Sequence, residues 1–407
     1  VKRGGLFIFS NPKTPYMKHC CTALLLLMTT LATAQNGNKP AYWLGKSVGK
    51  LPMLAYGLGD DRLGGAKMGY IDTGILLKVV DSADDLYKVQ LSQYHSAYLE
   101  KQYISKDTAL KQKPFYLLNS WSTRGNETEM VDLLALSMDE KLPYKSWMEI
   151  APAKIMLDVY GVQSNSNWIT QFRSLKEVKN VYFNQVEDDV VRITIELVHQ
   201  QHWGYSIGYR GKSLQVRVRR QPNPKHISDL VIAIDAGHGG TNTGAKGINT
   251  GILEKEYTLL FAKAFEKQLK RKGVNTIMVR SNDTSINNVD RVLWLQDQRP
   301  HILISFHLNS SGKPEVKGVS TYYKHIGFRP LSTAVLNRML ELELNEFANV
   351  GNFNFMLNAP TDFPNTLVEV AFLSNPEDEQ RIRDPKFHKA VADKVYRGVR
   401  DWLKQLK

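Results

Sequence analysis

The sequence predicts an α/β domain over residues 229–407, a twisted and mostly parallel sheet flanked by helices, preceded by two small all-β domains. Three observations predict it. Beyond residue 230, short apolar runs alternate with stretches whose apolar residues recur every three to four positions, the pattern of strand alternating with helix. Before residue 221 the apolar residues recur with period two, which marks half-buried strands with one wet face. Between the two regimes lies Gln221-Pro222-Asn223-Pro224-Lys225, a proline-rich break.

Near the N-terminus Lys18 and His19 stand ahead of the apolar run Thr22–Met28 and the small-residue pattern Ala32-Thr33-Ala34. Residues 17–34 read as a secretory signal cut after Ala34, with Met17 as initiator. The apolar run is shorter than the ~20 residues a bilayer span needs. The mature chain is therefore expected outside the cytoplasm, in the periplasm or cell envelope, without stable membrane insertion. Cys20 and Cys21 are the two cysteines of the chain, and both fall inside the signal. A mature chain without cysteine has no disulfide and no thiolate chemistry, so any metal must be held by histidine and carboxylate.

Residues 41–107 hold the strand-like runs Ile75–Val80 and Leu86–Leu91, with the polar cluster Asp81–Asp85 read as the turn of a hairpin, followed by Ala97–Leu99 and Gln102–Ile104. Their order resembles a bacterial SH3-like barrel. Residues 108–115 are polar and contain Pro114, and they suit a linker. Residues 116–221 carry the alternating runs Ala153–Tyr160, Val190–Leu197 and Leu214–Arg219. They resemble an AMIN-type β-sandwich, a class of wall-targeting module. His199 and His202 read as packing residues there. A structural spacer is an equal reading for the barrel.

In the last domain, Val231–Ile234 is a buried-type strand, and Tyr257, Leu260, Phe261, Ala264, Phe265 and Leu269 line one face of a helix over 255–272 that Gly273 is placed to end. A strand over 274–279, a helix over 289–297, the strand Ile302–Phe306, a helix over 331–347 and the strand Leu367–Val370 follow. Phe387, Val391, Val395, Val399 and Leu403 stripe a final helix.

The chemistry-bearing residues fall at strand ends, where ligands bind in α/β sheets. His238 follows the first strand in Asp235-Ala236-Gly237-His238-Gly239-Gly240, His307 follows Phe306, Glu254 opens a helix, and Glu369 sits within an apolar strand. Taken singly, His307 reads as a packing histidine and Glu254 as an acid at a positive helix N-terminus. A carboxylate inside an apolar strand is harder to explain structurally. Together the four make a complete hydrolytic site. Two histidines and a glutamate are a known zinc set that leaves a position for water. The metal lowers the pKa of that water to about 7. A further carboxylate then moves its proton to the leaving nitrogen. His238, Glu254 and His307 are the expected Zn2+ ligands and Glu369 the catalytic acid–base.

The segments "IAIDAGHGG", "LEKEYTLLFAKAFEKQLKRKG", "MVRSND", "ISFHLNS" and "LVEVAFLSNPEDE" resemble, in this order, the zinc-dependent N-acetylmuramoyl-L-alanine amidases. The resemblance implies hydrolysis of the amide between the lactyl group of N-acetylmuramic acid and L-alanine in peptidoglycan. It places the metal ligands and catalytic glutamate on the same four residues, and favours Glu254 over Glu256. Asn309, Arg280 and Arg291 are candidate substrate contacts, the two arginines with an equal structural reading. Some relatives carry an inserted helix that an activator displaces. Residues 323–356 hold one ordinary helix and no room for such an insertion, which predicts an open groove, while a protein activator stays a candidate partner. The Leu308 position commonly holds a small residue in the family.

The formal net charge is +13, or +9 once residues 1–34, with Lys2, Arg3, Lys13 and Lys18, are removed. This suits an anionic wall polymer, but no recognition helix, zinc finger or long Lys/Arg run points to nucleic acid. Two competing readings are an inactive wall-binding relative and a zinc peptidase or deacetylase. The intact set of four opposes the first, and the absence of a helical His-Glu-x-x-His pair opposes the second.

Overall fold

The structure, a computed structural model, describes residues 42–59, 65–222 and 226–406. The expected signal over 17–34, with Cys20 and Cys21, lies outside the described residues, as do Asn223–Lys225 of the proline-rich break.

Residues Trp43 to Lys106 form a seven-stranded antiparallel sheet. The expected hairpin is present as Leu76–Ala83 and Leu86–Gln90, with a shorter turn than the polar cluster suggested. Asp81, Ser82 and Ala83 continue the strand opposite Lys88, Tyr87 and Leu86, past a bulge after Val79. The turn narrows to Asp84 and Asp85, with Asp84 at φ 45°, a conformation aspartate tolerates. Polarity misled here because Asp81 and Ser82, both exposed, stand at the open end of a paired strand.

Residues 116–219 form two sheets packed face to face. One has four strands, from Tyr144–Ile150 through Ala153–Tyr160 and Val190–Leu197 to Val178–Glu187. The other is built on the long hairpin Tyr116–Asn126 and Val131–Met138 and carries Ser213–Arg219 and Tyr205–Arg210. Trp121 stacks on Phe183 across the gap, ring centroids 4.4 Å apart. The apolar core runs without a break from Leu44 and Leu77 of the first sheet into Leu134 and Ile193 of the sandwich. His199 sits 2.7 Å from Glu177 and His202 2.7 Å from the carbonyl of Glu149, both as packing groups.

The last domain has the order β1 (Val231–Ala236), α1 (Glu254–Arg271), β2 (Asn275–Met278), α2 (Asn288–Gln298), β3 (Ile302–Asn309), β4 (Val319–Tyr322), α3 (Arg329–Leu340), β5 (Glu346–Val350), β6 (Asn365–Phe372), α4 (Pro376–Ile382) and α5 (Pro385–Lys404). The sheet order is β2-β1-β3-β6-β4-β5. The β4–β6 pair is antiparallel and the other pairs are parallel. Alternate residues feed two cores. Ile232, Ile234, Ile304, Phe306, Val368 and Val370 pack under α1, α3 and α5, while Ala233 and Leu303 pack with Leu295 of α2, Leu357 and Phe363 on the opposite face. Each fully buried aliphatic or aromatic side chain contributes about 1.5–3 kcal/mol.

The helix expected over 331–347 is a correction. It ends at Leu340, and Glu346–Val350 is an edge strand parallel to β4. Leu and Glu at 340–344 are strong helix formers, so propensity carries the expected helix past its end. Glu343, however, stands at φ 55° in the left-handed region, which stops the helix and turns the chain back to the sheet. Two elements went unpredicted: β4, and α4, which Asn375 caps by accepting from the amides of Glu377 and Asp378 with Pro376 in its first turn. Among the described residues, no helix is long and apolar enough to cross a membrane.

Candidate active site

Strand β1 leads through α1 to β2 on one side, and the chain then crosses by α2 to β3 on the other, so the carboxyl ends of β1 and β3 flank the switch point of the sheet. Ligands bind there in open α/β sheets. His238 stands just past β1, and His307 lies near the end of β3.

His238 has φ 60°, strained for a residue with a Cβ and typical of functional sites. The loop around it is held by two buried arginines. Arg280 donates to the carbonyls of Ala236 (2.8 Å), Gly237 (2.8 Å), Lys255 (2.7 Å) and Asn282 (3.1 Å). Arg291 pairs with Asp235 at 2.6 Å and also donates to the carbonyls of Ala236, Ile286 and His238. Both guanidinium groups thus lie beneath the loop, Arg280 on backbone carbonyls and Arg291 on carbonyls and Asp235. Lys255 ties the same loop down through the carbonyl of Gly240 and Asp283.

Glu254 opens α1 and is buried, whereas Glu256 is exposed. Its Oε1 lies 3.0 Å from Nε2 of His238 and 3.1 Å from Nδ1 of His307, and also accepts the amide of Leu308 at 3.1 Å. Its Oε2 accepts the amide of Ala245 at 2.8 Å. One ligand atom from each of His238, Glu254 and His307 falls within 4.8 Å of the others. Glycines make the room: a Cβ on Gly237 would sit 2.3 Å from the His307 ring, and one on Gly244 2.5 Å from Glu254 Oε2.

The electrostatics ask for a cation. Burial raises the Glu254 carboxyl, but hydrogen bonds from His238 and then His307 outweigh it and hold the group well below the usual carboxylate range. Burial lowers the His238 imidazole, but Glu254 outweighs it and leaves the ring above its ordinary value. Nδ1 of His238 faces the side-chain oxygen of Asn242 at 2.9 Å. That acceptor takes the Nδ1 proton, so a neutral ring would aim its Nε2 lone pair at a carboxylate oxygen. A proton or a metal ion is needed between them, and the His/Glu/His donor set fits a zinc-like divalent ion.

Glu369 is the register partner of His307 across the parallel β3–β6 pair and of Ser320 across β6–β4. It is 6% exposed. Register partners project to one side of a sheet, so Glu369 lies on the His307 face, away from the core under α1, α3 and α5. Asn309 ends β3 with its side-chain oxygen on the amide of Ser310 at 2.8 Å and its carbonyl on the amide of Leu373 at 2.9 Å. Leu308 is buried beneath the site.

Sequence reasoning missed two neighbours. Asn242 orients His238, and Phe355 stacks on His307 with rings 9° from parallel and centroids 6.3 Å apart. Neither stands in a strand or helix whose periodicity could have flagged it. In "SNPEDE", Asp378 accepts the amides of Gly318 and Phe372, and Glu379 those of Asn249 and Thr250. That motif braces the end of β6 rather than supplying chemistry.

Residues 232–401 match the family model described as N-acetylmuramoyl-L-alanine amidase. The chain is 27% identical over 195 residues to a Staphylococcus saprophyticus protein named "Probable cell wall amidase LytH", covering 47% of this chain and 65% of that protein. The protein of the same name from Staphylococcus epidermidis is 28% identical over 208 residues, 50% of this chain and 70% of that one. The chain thus spans about two thirds of the length of these relatives. The solved structure of an N-acetylmuramoyl-L-alanine amidase from Clostridium difficile 630 aligns with 26% identity and a TM-score of 0.42, over 43% of this chain and 97% of that one.

Proposed function

We propose that the chain is a zinc-dependent peptidoglycan hydrolase of the cell envelope that cuts the amide between the lactyl group of N-acetylmuramic acid and the L-alanine of the stem peptide. The observation that carries this reading is the convergence of His238 and His307 on Glu254 Oε1, at 3.0 and 3.1 Å, beside Glu369 on the adjoining strand of an amidase-family domain. His238, Glu254 and His307 hold the metal. Bound there, zinc supplies a Lewis acid that polarises the scissile carbonyl and acidifies water. The Glu369 carboxylate takes the proton of the attacking water and delivers it to the departing nitrogen of L-alanine. Asn242 keeps His238 in the tautomer that presents Nε2, and Arg280 and Arg291 hold the loop in its strained conformation. Asn309, at the mouth of β3, is the candidate substrate contact of the three first considered.

The relatives named cell wall amidases support action at the cell wall, and this reading takes the protein as exported and serving wall remodelling or the separation of daughter cells. On the same reading, the N-terminal antiparallel sheet is an SH3-like barrel and the sandwich an AMIN-like domain, both serving to hold the enzyme on the wall. Purified, undigested sacculi test the reaction: the zinc-loaded chain is expected to release intact stem peptides beginning at L-alanine. Release of shortened peptides, or of acetate, would replace the amidase reading with a peptidase or a deacetylase.

A further inference from the structure

Segment 351–358 joins β5 to the turn before β6 and carries Phe353 and Phe355 across the site face of the sheet. Phe355 lies over the His307 ring. Phe353 packs on Phe355 with centroids 4.5 Å apart, and Tyr322 of β4 touches both, at 5.0 and 5.2 Å. These three rings make one aromatic wall beside a ligand histidine. The ends of the segment are fixed within the last domain. Gly351 lies against the Tyr323 ring, where a Cβ would come within 2.4 Å of its hydroxyl, and Asn358 donates to the carbonyl of Tyr322 at 3.2 Å.

The middle is held from elsewhere. Asn354, between the two phenylalanines, donates to the carbonyl of Gly65 at 3.3 Å. Its side-chain oxygen accepts the amide of Lys67 at 3.3 Å, and its carbonyl accepts the Lys67 ammonium. Lys324 reaches the same side-chain oxygen at 3.3 Å. Gly65 and Lys67 belong to the N-terminal sheet, nearly 290 residues away in sequence. Burial and the nearby charge of Lys324 lower the Lys67 ammonium to about 8, and the two ammonium groups take different oxygens of Asn354, Lys67 the backbone carbonyl and Lys324 the side-chain oxygen. A neutral asparagine with three such partners is a tether: it brings no charge of its own, and its bonds cross between domains.

We propose that Asn354 is a positioning residue through which the N-terminal barrel sets the aromatic wall of the active site, so that the barrel shapes substrate binding as well as any attachment to the wall. What the wall receives rests on the amidase reading; the tether itself does not. Loosening the tether frees Phe353 and Phe355 to swing from His307. Substrate binding then weakens, while the metal site and Glu369, anchored in the sheet, are unchanged.

The test uses the full chain loaded with zinc, in wild type, Asn354→Ala, Phe355→Ala and the double variant. Hydrogen exchange at amides 353–356 is expected to speed up about tenfold or more in Asn354→Ala, with α3, β6 and the zinc content as in wild type. On soluble peptidoglycan fragments KM is expected to rise about three- to tenfold with kcat within about twofold. The double variant should be no worse than Phe355→Ala, the non-additivity of two residues acting through one another. Asn354→Asp keeps an oxygen for the Lys67 amide and Lys324 but loses the donor to Gly65, so it should recover only part of the change in exchange and KM. Wild-type exchange in Asn354→Ala, or losses that simply add in the double variant, would overturn the proposal. If the wild type cuts no peptidoglycan, the amidase reading fails, and the exchange measurement still decides the tether.

Discussion

The side-chain oxygen of Asn242 stands 2.9 Å from Nδ1 of His238, on the side of the ring turned away from Glu254. A partner on the far nitrogen of a ligating histidine fixes both its tautomer and its orientation. Asn242→Ala should therefore weaken zinc binding by about 10- to 100-fold without changing the fold. Competition with a chromogenic chelator measures it. An unchanged zinc affinity would mean that the strained backbone alone orients the ring.

Arg291 and Asp235 form an ion pair at 2.6 Å with both side chains almost fully buried, and Ser305 adds a hydrogen bond to Asp235 at 2.8 Å. Removing the arginine leaves a buried charge uncompensated. Arg291→Met should cost about 3–5 kcal/mol in denaturant unfolding. The double variant Arg291→Met with Asp235→Leu should recover most of that loss, since it removes the stranded charge. A single variant as stable as wild type would show that the pair does not hold the loop under His238.

His325 is packed against Phe328, and its Nε2 lies 2.8 Å from the carbonyl of Ala359. Burial chiefly lowers its imidazole to about 4 from an ordinary 6.5. The sign follows from proton counting: the unfolded ring takes a proton below 6.5 and the folded ring does not until about 4. Stability contributed here is present above 6.5 and is lost as pH falls through this window, at a slope approaching about 1.4 kcal/mol per pH unit. His325→Gln, which keeps a donor to Ala359, should flatten the loss between those pH values in urea unfolding. An unaltered slope would remove His325 as a source of acid sensitivity.

Much of the last domain was legible because its strands and helices carry the residues that do the chemistry. His238, Glu254 and His307 come together because β1 and β3 end, and α1 begins, at one switch point, an arrangement that alternating apolar runs already imply. What escaped was set by contacts between distant segments. The Leu/Glu run at 340–344 has high helix propensity, yet the open edge of β4 recruits Glu346–Val350 as a strand. Arg280 and Arg291 read equally in sequence as substrate contacts or structural groups, because their partners, backbone carbonyls and Asp235, are brought to them only once the loop has folded. Asn352-Phe353-Asn354-Phe355 has no helical or strand context to give it meaning, and its role depends on Gly65 and Lys67 at the other end of the chain. The continuous apolar core joining the first sheet to the sandwich was likewise invisible to a reading made segment by segment.

The account turns on Glu369 as the group that moves the proton beside a metal held by His238, Glu254 and His307. The most direct measurement compares zinc-loaded wild type with Glu369→Gln on purified peptidoglycan, scoring new amino-terminal L-alanine and zinc content in the same samples. The account predicts release by wild type and a loss of roughly 100- to 10,000-fold in the variant, with zinc retained. Equal release by both would contradict it.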